Sequence, residues 1–369
     1  MRRHCLIACA LSLLTLAGCG RRPAITPIDA RALVLAVGAD KAGKQDVRYT
    51  LEIPSPQSLS GSSGGGNEFY SVQAVAKSLA EAISHMENET SRDIYLGQMH
   101  VLILALDLPP DLRDRLIAEE ERFGETDDTQ WFALADGKAG KLLQPPALEE
   151  RLPAFFYSTH FNCVGCQSID YGVPAWRVQA ELAAPGSVAV VPVAKAQDGQ
   201  IMVNRVAALR RLKAPFVFTP EETVSVMTLR GRLTKGSFTF PTPLGSATVR
   251  SMHAKVTRSA AIGRDRRLHL TAKVTYQGLV AQRPARVQHM TAKALGVMQE
   301  SCAKALAQKL TAAISRAQRA GVDPFDFAQT VYLEDPEAFR ALGDYAAAFR
   351  QAVVTVRVQV HLPDQGILV

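Results

Sequence analysis

Between Arg286 and Ala320 the chain carries its longest regular pattern, and that pattern sets terms for everything around it. Met290, Ala294, Met298, Cys302, Leu306, Leu310 and Ile314 recur at every fourth residue. Val287, Val297, Ala305 and Ala313 widen this ladder into a broad apolar face, as a helix packed on a core requires. Gly321 follows and suits a helix stop. Cys302 lies on the stripe, so it reads as a buried structural thiol rather than a nucleophile. Ala247 to Thr257 and Leu268 to Val280 precede the helix, alternate polar and apolar residues, and pair as a long hairpin through Gly263-Arg264-Asp265. Shorter helices over Phe325–Tyr332 and Pro336–Phe349 and a last strand over Ala352–Leu362 follow it.

Composition narrows the class. The chain has 369 residues, 47% of them hydrophobic and 21% charged, which excludes a wholly disordered chain and leaves room for two or three cores. No window past residue 19 holds the ~18–20 uninterrupted apolar residues of a spanning helix, which excludes a polytopic membrane protein. The net charge of +7 is a mild surplus over this length. It is weak support for nucleic acid and compatible with an anionic membrane surface. Six cysteines are too few for a disulfide scaffold.

The first residues read as an address. Arg2 and Arg3 form a positive start, Cys5 to Ala17 an apolar run of signal-peptide length, and Leu16-Ala17-Gly18-Cys19 resembles a bacterial lipobox. Small residues before the cut admit the peptidase, and the Cys19 thiol receives diacylglycerol. Residues 1–18 are thus expected to be a lipoprotein signal peptide and Cys19 the lipidated residue. An ordinary signal peptide or a short anchor is the plainer alternative. Cleavage removes Arg2 and Arg3, taking the charge from +7 to +5. Arg21 and Arg22 then stand against anionic head groups as a second weak signal.

The fold class expected is α+β, a mixed α/β chain of two to three domains, each a mostly antiparallel sheet packed with helices. Strands over Ala32–Val37 and Val47–Ile53 come first, then a Gly/Ser-rich loop at 55–67, whose Gly-Ser-Ser-Gly-Gly-Gly lacks the Lys and Ser/Thr of a phosphate loop. Next come a helix over Ala74–Met86, an apolar strand at His100–Leu106, a helix over Asp111–Phe123, a strand at Gln130–Ala135 and a short helix at Lys138–Leu143. Residues 144–176 read as loop-rich. Pro185-Gly186 suggests a boundary near 187, giving an N-terminal region 19–187, a small middle domain 188–245 and a C-terminal domain 246–369. In the middle segment Thr219 caps a helix start at Pro220-Glu221-Glu222.

Few residues suggest chemistry. Cys163 and Cys166 have the spacing of a redox motif, and His160 stands nearby. A redox motif normally opens a helix after a strand, and a zinc site needs a second ligand pair that is missing. A loop disulfide is the plain reading; redox catalysis, a metal and two idle thiols stay open beside it. His85, His100, His253, His269, His289 and His361 are scattered. The acidic runs Glu119–Glu121 and Glu125–Asp128 read as a solvated helix face, and Arg210-Arg211 and Arg264/Arg266/Arg267 as solvated turns or lipid-phosphate contacts. Gly-x-Ser-x-Gly, His-Glu-x-x-His and Walker patterns are missing, so no catalytic residue, metal or cofactor is assigned.

Ordered blocks along the chain carry a family resemblance. They are Ala32-Leu-Val-Leu-Ala-Val-Gly38-Ala-Asp40, Arg92-Asp-Ile-Tyr-Leu-Gly97-Gln-Met-His100, Phe132-Ala-Leu-Ala-Asp-Gly137-Lys-Ala139, Val193 to Gly199 through Leu229-Arg-Gly231, and Gly321-Val-Asp323-Pro-Phe325-Asp-Phe327-Ala. Together with the lipobox they resemble the Ger(x)C family, the lipoprotein C subunit of bacterial spore germinant receptors. The Cys163/Cys166 loop and the Gly-rich 61–66 stretch depart from the family pattern. The resemblance implies three mixed α/β domains and no enzyme activity. It also implies lipid anchorage on the outer face of the cytoplasmic (spore inner) membrane, and assembly with integral-membrane A and B subunits. No nucleic acid and no catalytic small-molecule substrate is implied. Two alternatives are an extracytoplasmic thiol-disulfide oxidoreductase using Cys163/Cys166 and a solute-binding lipoprotein of a transporter.

Overall fold

The computed structural model describes residues 26–55, 68–122, 129–144, 150–163, 166, 171–265 and 267–363. The signal segment with Cys19, the Gly-rich 61–66 stretch and the acidic run 125–128 lie outside these residues. In chain order come β1 (Arg31–Leu33), β2 (Ala36–Lys41), β3 (Val47–Pro54), β4 (Phe69–Ala76), α1 (Leu79–Glu87), β5 (Asp93–Tyr95), β6 (Val101–Ala105), α2 (Pro110–Arg122) and β7 (Trp131–Ala135). A 3-10 turn at Ala139–Leu143 leads to α3 (Pro153–Phe161), α4 (Ala175–Ala183), β8 (Ala189–Gln197), β9 (Gln200–Leu209), β10 (Phe216–Val217) and α5 (Pro220–Leu229). The remainder is β11 (Ser237–Thr242), β12 (Gly245–Ile262), β13 (Leu268–Gln282), α6 (Ala292–Ala320), α7 (Phe327–Glu334), α8 (Pro336–Ala341), α9 (Tyr345–Gln351) and β14 (Val353–His361).

The strands form an eight-stranded sheet in the order β10-β9-β8-β7-β6-β2-β3-β4, a four-stranded sheet β11-β12-β13-β14, and a small parallel pair of β1 and β5. In the two larger sheets antiparallel pairings predominate; β2-β6, β6-β7, β7-β8 and β13-β14 are parallel. The fold is α+β with mostly antiparallel sheets, as the sequence suggests. The segment 188–245 is divided between them: β8, β9 and β10 extend the first sheet, and β11 is an edge of the second.

Both faces of the larger sheet are buried. Val37, Leu102, Leu104, Phe132, Leu134 and Val191 pack toward α1, α2 and α4 through Ala82, Leu112, Leu116 and Val178. The alternate residues Ala36, Val101, Ile103, Ala133 and Val190 face the 3-10 turn, α3 and α5 in a second core, which continues into the smaller sheet. This two-sided burial explains why β6 is apolar at every position. In the smaller sheet Leu268, Leu270, Ala272, Val274 and Tyr276 of β13 share that core with Met298, Cys302, Leu306, Leu310 and Ile314. Helix α6 touches both edge strands, β11 and β14. Its ladder is the one visible in the sequence, and Gly321 closes it at φ 63° in the left-handed region. Burial pushes the Cys302 thiol up to about 12, which removes it from thiolate chemistry.

Several elements differ from the sequence reading. Residues 69–76 form a strand, and the helix that follows starts only after Ser78, whose hydroxyl accepts from Glu81 N at 3.2 Å. Residues 286–290 are not helical: Val287 N turns back to Pro284 O at 2.9 Å, and α6 begins behind the Thr291 cap. The loop-rich stretch 144–176 holds α3 and the start of α4. Pro153 sits in the first turn of α3, and Pro174 caps α4, positions where proline starts a helix instead of breaking it.

Candidate functional site

The motif blocks of the sequence meet in space. At the end of β2, the Asp40 carboxylate accepts from Ala139 N at 2.8 Å and Gly140 N at 3.0 Å, holding the 3-10 turn on the sheet. Gly38 permits that approach: a Cβ there would lie 3.2 Å from Ala139 C and Gly140 N. Beside this lock opens a cleft of about 410 Å3 whose cationic lining is Lys41, Arg48, Lys138 and Lys141. Two residues along β3 from Thr50, Glu52 is fully buried and both its oxygens accept from Ala154 N in the first turn of α3, at 3.1 and 3.2 Å. Burial raises the Glu52 carboxyl to about 8.

A second cleft, about 510 Å3, opens at the start of β6 and β7 and includes His100, Gln130, Ser158, Asn162 and Trp176. His100 Nδ1 lies 2.8 Å from Ser158 Oγ, and the imidazole meets Phe155 edge-on. Burial lowers the His100 pKa, favouring a neutral ring. A nucleophilic serine needs its histidine oriented by a third group, and among the described residues no carboxylate holds the other ring nitrogen. Below the cleft, Gln130 Nε2 donates to buried Glu120, which also accepts from Gln179 Nε2 at 2.7 Å. Glu120 is therefore not part of a solvated helix face, contrary to the sequence reading; its two amide partners lie outside its own helix.

Cys163 and Cys166 follow the C-terminal end of α3, with Cα atoms 5.5 Å apart and the sulfurs joined. That end of a helix carries the negative pole, which disfavours a thiolate. His160 stacks on Phe156 with centroids 5.2 Å apart, and Lys235 Nζ donates to the Cys163 carbonyl. No group of three or more metal-ligating side chains occurs among the described residues.

The third meeting point joins the two sheets. Arg230 is buried and pairs with Glu181 of α4 at 2.5 Å and with Asp326 at 2.8 Å. It also donates to Pro324 O at 3.2 Å, and Arg232 adds a second contact to Glu181 at 2.7 Å. Asp323 beside it accepts from Phe325 N, Ala328 N and Tyr345 Oη at 3.0, 2.7 and 2.7 Å. Burial pushes its carboxyl up to about 6. Thus Leu229-Arg-Gly231 and Asp323-Pro-Phe-Asp326, distant in sequence, form one ionic joint. The sequence marked both blocks but gave no sign that they meet or that Glu181 completes them.

At Asp40, Glu52, Arg230 and Asp323 the buried charged or titratable group is spent on backbone or on its opposite. The family model of the spore germination protein N-terminal domain matches residues 25–196, and that of the spore germination B3/GerAC-like C-terminal domain matches residues 206–366. The crystal structure of the GerBC protein is similar, with a TM-score of 0.59, 13% identity, and coverage of 89% of this chain and 97% of that one; at this identity the likeness shows the fold. Comparison with curated protein sequences finds no significant match. The chain belongs to the Ger(x)C family of spore germination proteins.

Proposed function

We propose that the protein is the non-enzymatic, lipid-anchored C subunit of a spore germinant receptor, supporting nutrient-triggered germination together with two integral-membrane subunits. Family membership across both halves of the chain carries this reading. Leu16-Ala17-Gly18-Cys19 supports anchorage on the outer face of the cytoplasmic, spore inner, membrane. Among the described residues no helix is long and apolar enough to cross a membrane, which is compatible with attachment through a lipid on Cys19. The Cys163–Cys166 pair serves in this account as a loop disulfide at the end of α3, not as a redox centre.

Replacing Cys19 by alanine tests the anchor. The unaltered chain from spore inner membranes is expected to carry diacylglycerol on Cys19 by mass spectrometry, and the variant, neither lipidated nor cut, to lack it; an unaltered chain with a free Cys19 thiol contradicts lipidation.

A further inference from the structure

Among the described residues the smaller sheet is covered on one face only. On its other face the register aligns Thr257, Lys273 and Arg357 in one row across β12, β13 and β14, and Lys255, Thr275 and Gln359 in the next. Outer rows place His253 with Gln277 and His361, and Ser259 with Thr271 and Thr355. Arg250, beyond a bulge in β12, continues the same face. Lys255, Lys273, Arg357 and Arg250 are all exposed. None of the residues in these rows is an aspartate or a glutamate. The carboxylates nearby lie at the rim: Asp265 at the hairpin tip against His269, Glu334 against Ala260 N along the free edge of β12, and Glu300 on α6 beside His361.

Lys273 stands directly opposite Arg357 in the parallel register, and like charges so placed oppose pairing of the strands. Every polar side chain in the rows can donate a hydrogen bond, and none is an obligate acceptor. Apart from Leu279 opposite Arg250 and Val353 opposite His269, at its two ends, the face lacks the large apolar side chains that anchor a protein interface. We infer that this face docks on an anionic phospholipid surface, its cations and hydroxyls meeting the headgroup phosphates. The contact is separate from the tether at Cys19 and would set how the body lies on the bilayer.

The chain from residue 19 onward carrying Cys19→Ala lacks both the apolar signal segment and the lipid and so isolates this contact; its failure leaves the anchor reading untouched. Its partition is measured on vesicles of phosphatidylglycerol mixed with phosphatidylcholine, and on phosphatidylcholine alone. Binding to the mixed vesicles only, weakening as salt rises, is expected. Changing Arg250, Lys255, Lys273 and Arg357 together to glutamine should lower it at least about tenfold. Removing the same four charges from the cleft beside Asp40 (Lys41, Arg48, Lys138 and Lys141 to glutamine) should lower it far less. Equal losses from both sets, or no binding to the mixed vesicles by the folded chain, would overturn the proposal. Binding to polyglutamate without binding to vesicles would overturn it in favour of an acidic protein partner.

Discussion

Strand β6 of the larger sheet reads Val101-Leu-Ile-Leu-Ala105, apolar throughout, whereas β14 of the smaller reads Val353-Val-Thr-Val-Arg-Val-Gln-Val-His361, with a polar residue at every second place from Thr355. The first lies between two layers of helices; the second faces a core on one side and solvent on the other. In the interior of the larger sheet the buried carboxyl groups are held by backbone amides, as with Asp40 and Glu52, while its cations Lys41, Arg48 and Lys195 are exposed. On the open face of the smaller one, Lys273 and Arg357 stand side by side, with no opposite charge in their rows among the described residues. The interior strands of the larger sheet are buried on both faces, and among the described residues the smaller sheet is buried on one.

The largest effect is expected where the two sheets join. Arg230→Ala removes a buried guanidinium from Glu181 and Asp326, leaving Glu181 to Arg232 and Arg177 and Asp326 without this ion pair. Breaking such a pair costs on the order of 3–5 kcal/mol, to be read from chemical denaturation. Some of this is screened, since Asp326 is partly exposed, so the lower end is expected. A loss below about 1 kcal/mol would mean that apolar packing alone joins the sheets.

A smaller effect, confined to a pH window, is expected inside the larger sheet. Burial raises Glu52 from 4.5 to about 8, so the folded chain keeps a proton that the unfolded chain has released. Its contribution to stability is complete below pH 4.5 and is lost as pH rises through about 8. Melting temperatures across this range should fall with rising pH, by an amount reflecting a few kcal/mol at most. Glu52→Gln, which stays neutral, should flatten that fall. An unchanged slope in the variant would place the pH dependence elsewhere.

Much of the local structure was legible because its causes are local. Thr219 does cap α5, with a capping box to Glu222. Gly321 does stop α6, and the strands either side of Gly263 do pair as a hairpin. What stayed hidden depends on partners far along the chain. Arg113 lies in a helix whose sequence looks solvent-facing, yet it is buried, donating to Lys213 O and Arg210 O at 2.8 Å each. Glu120 was hidden for the same reason. Of the sites, the cysteine pair and the motif blocks were visible. The joint at Arg230 was not, because three separate stretches supply it. The bare face of the smaller sheet needed the register, since only alignment brings Lys273 beside Arg357.

The proposal that this chain works as a subunit bound to integral-membrane partners is tested most directly by purifying it from detergent-solubilised spore inner membranes through an affinity tag. The account predicts that two polytopic membrane proteins come with it in fixed proportion. Recovery of the folded, anchored chain without either would contradict the account.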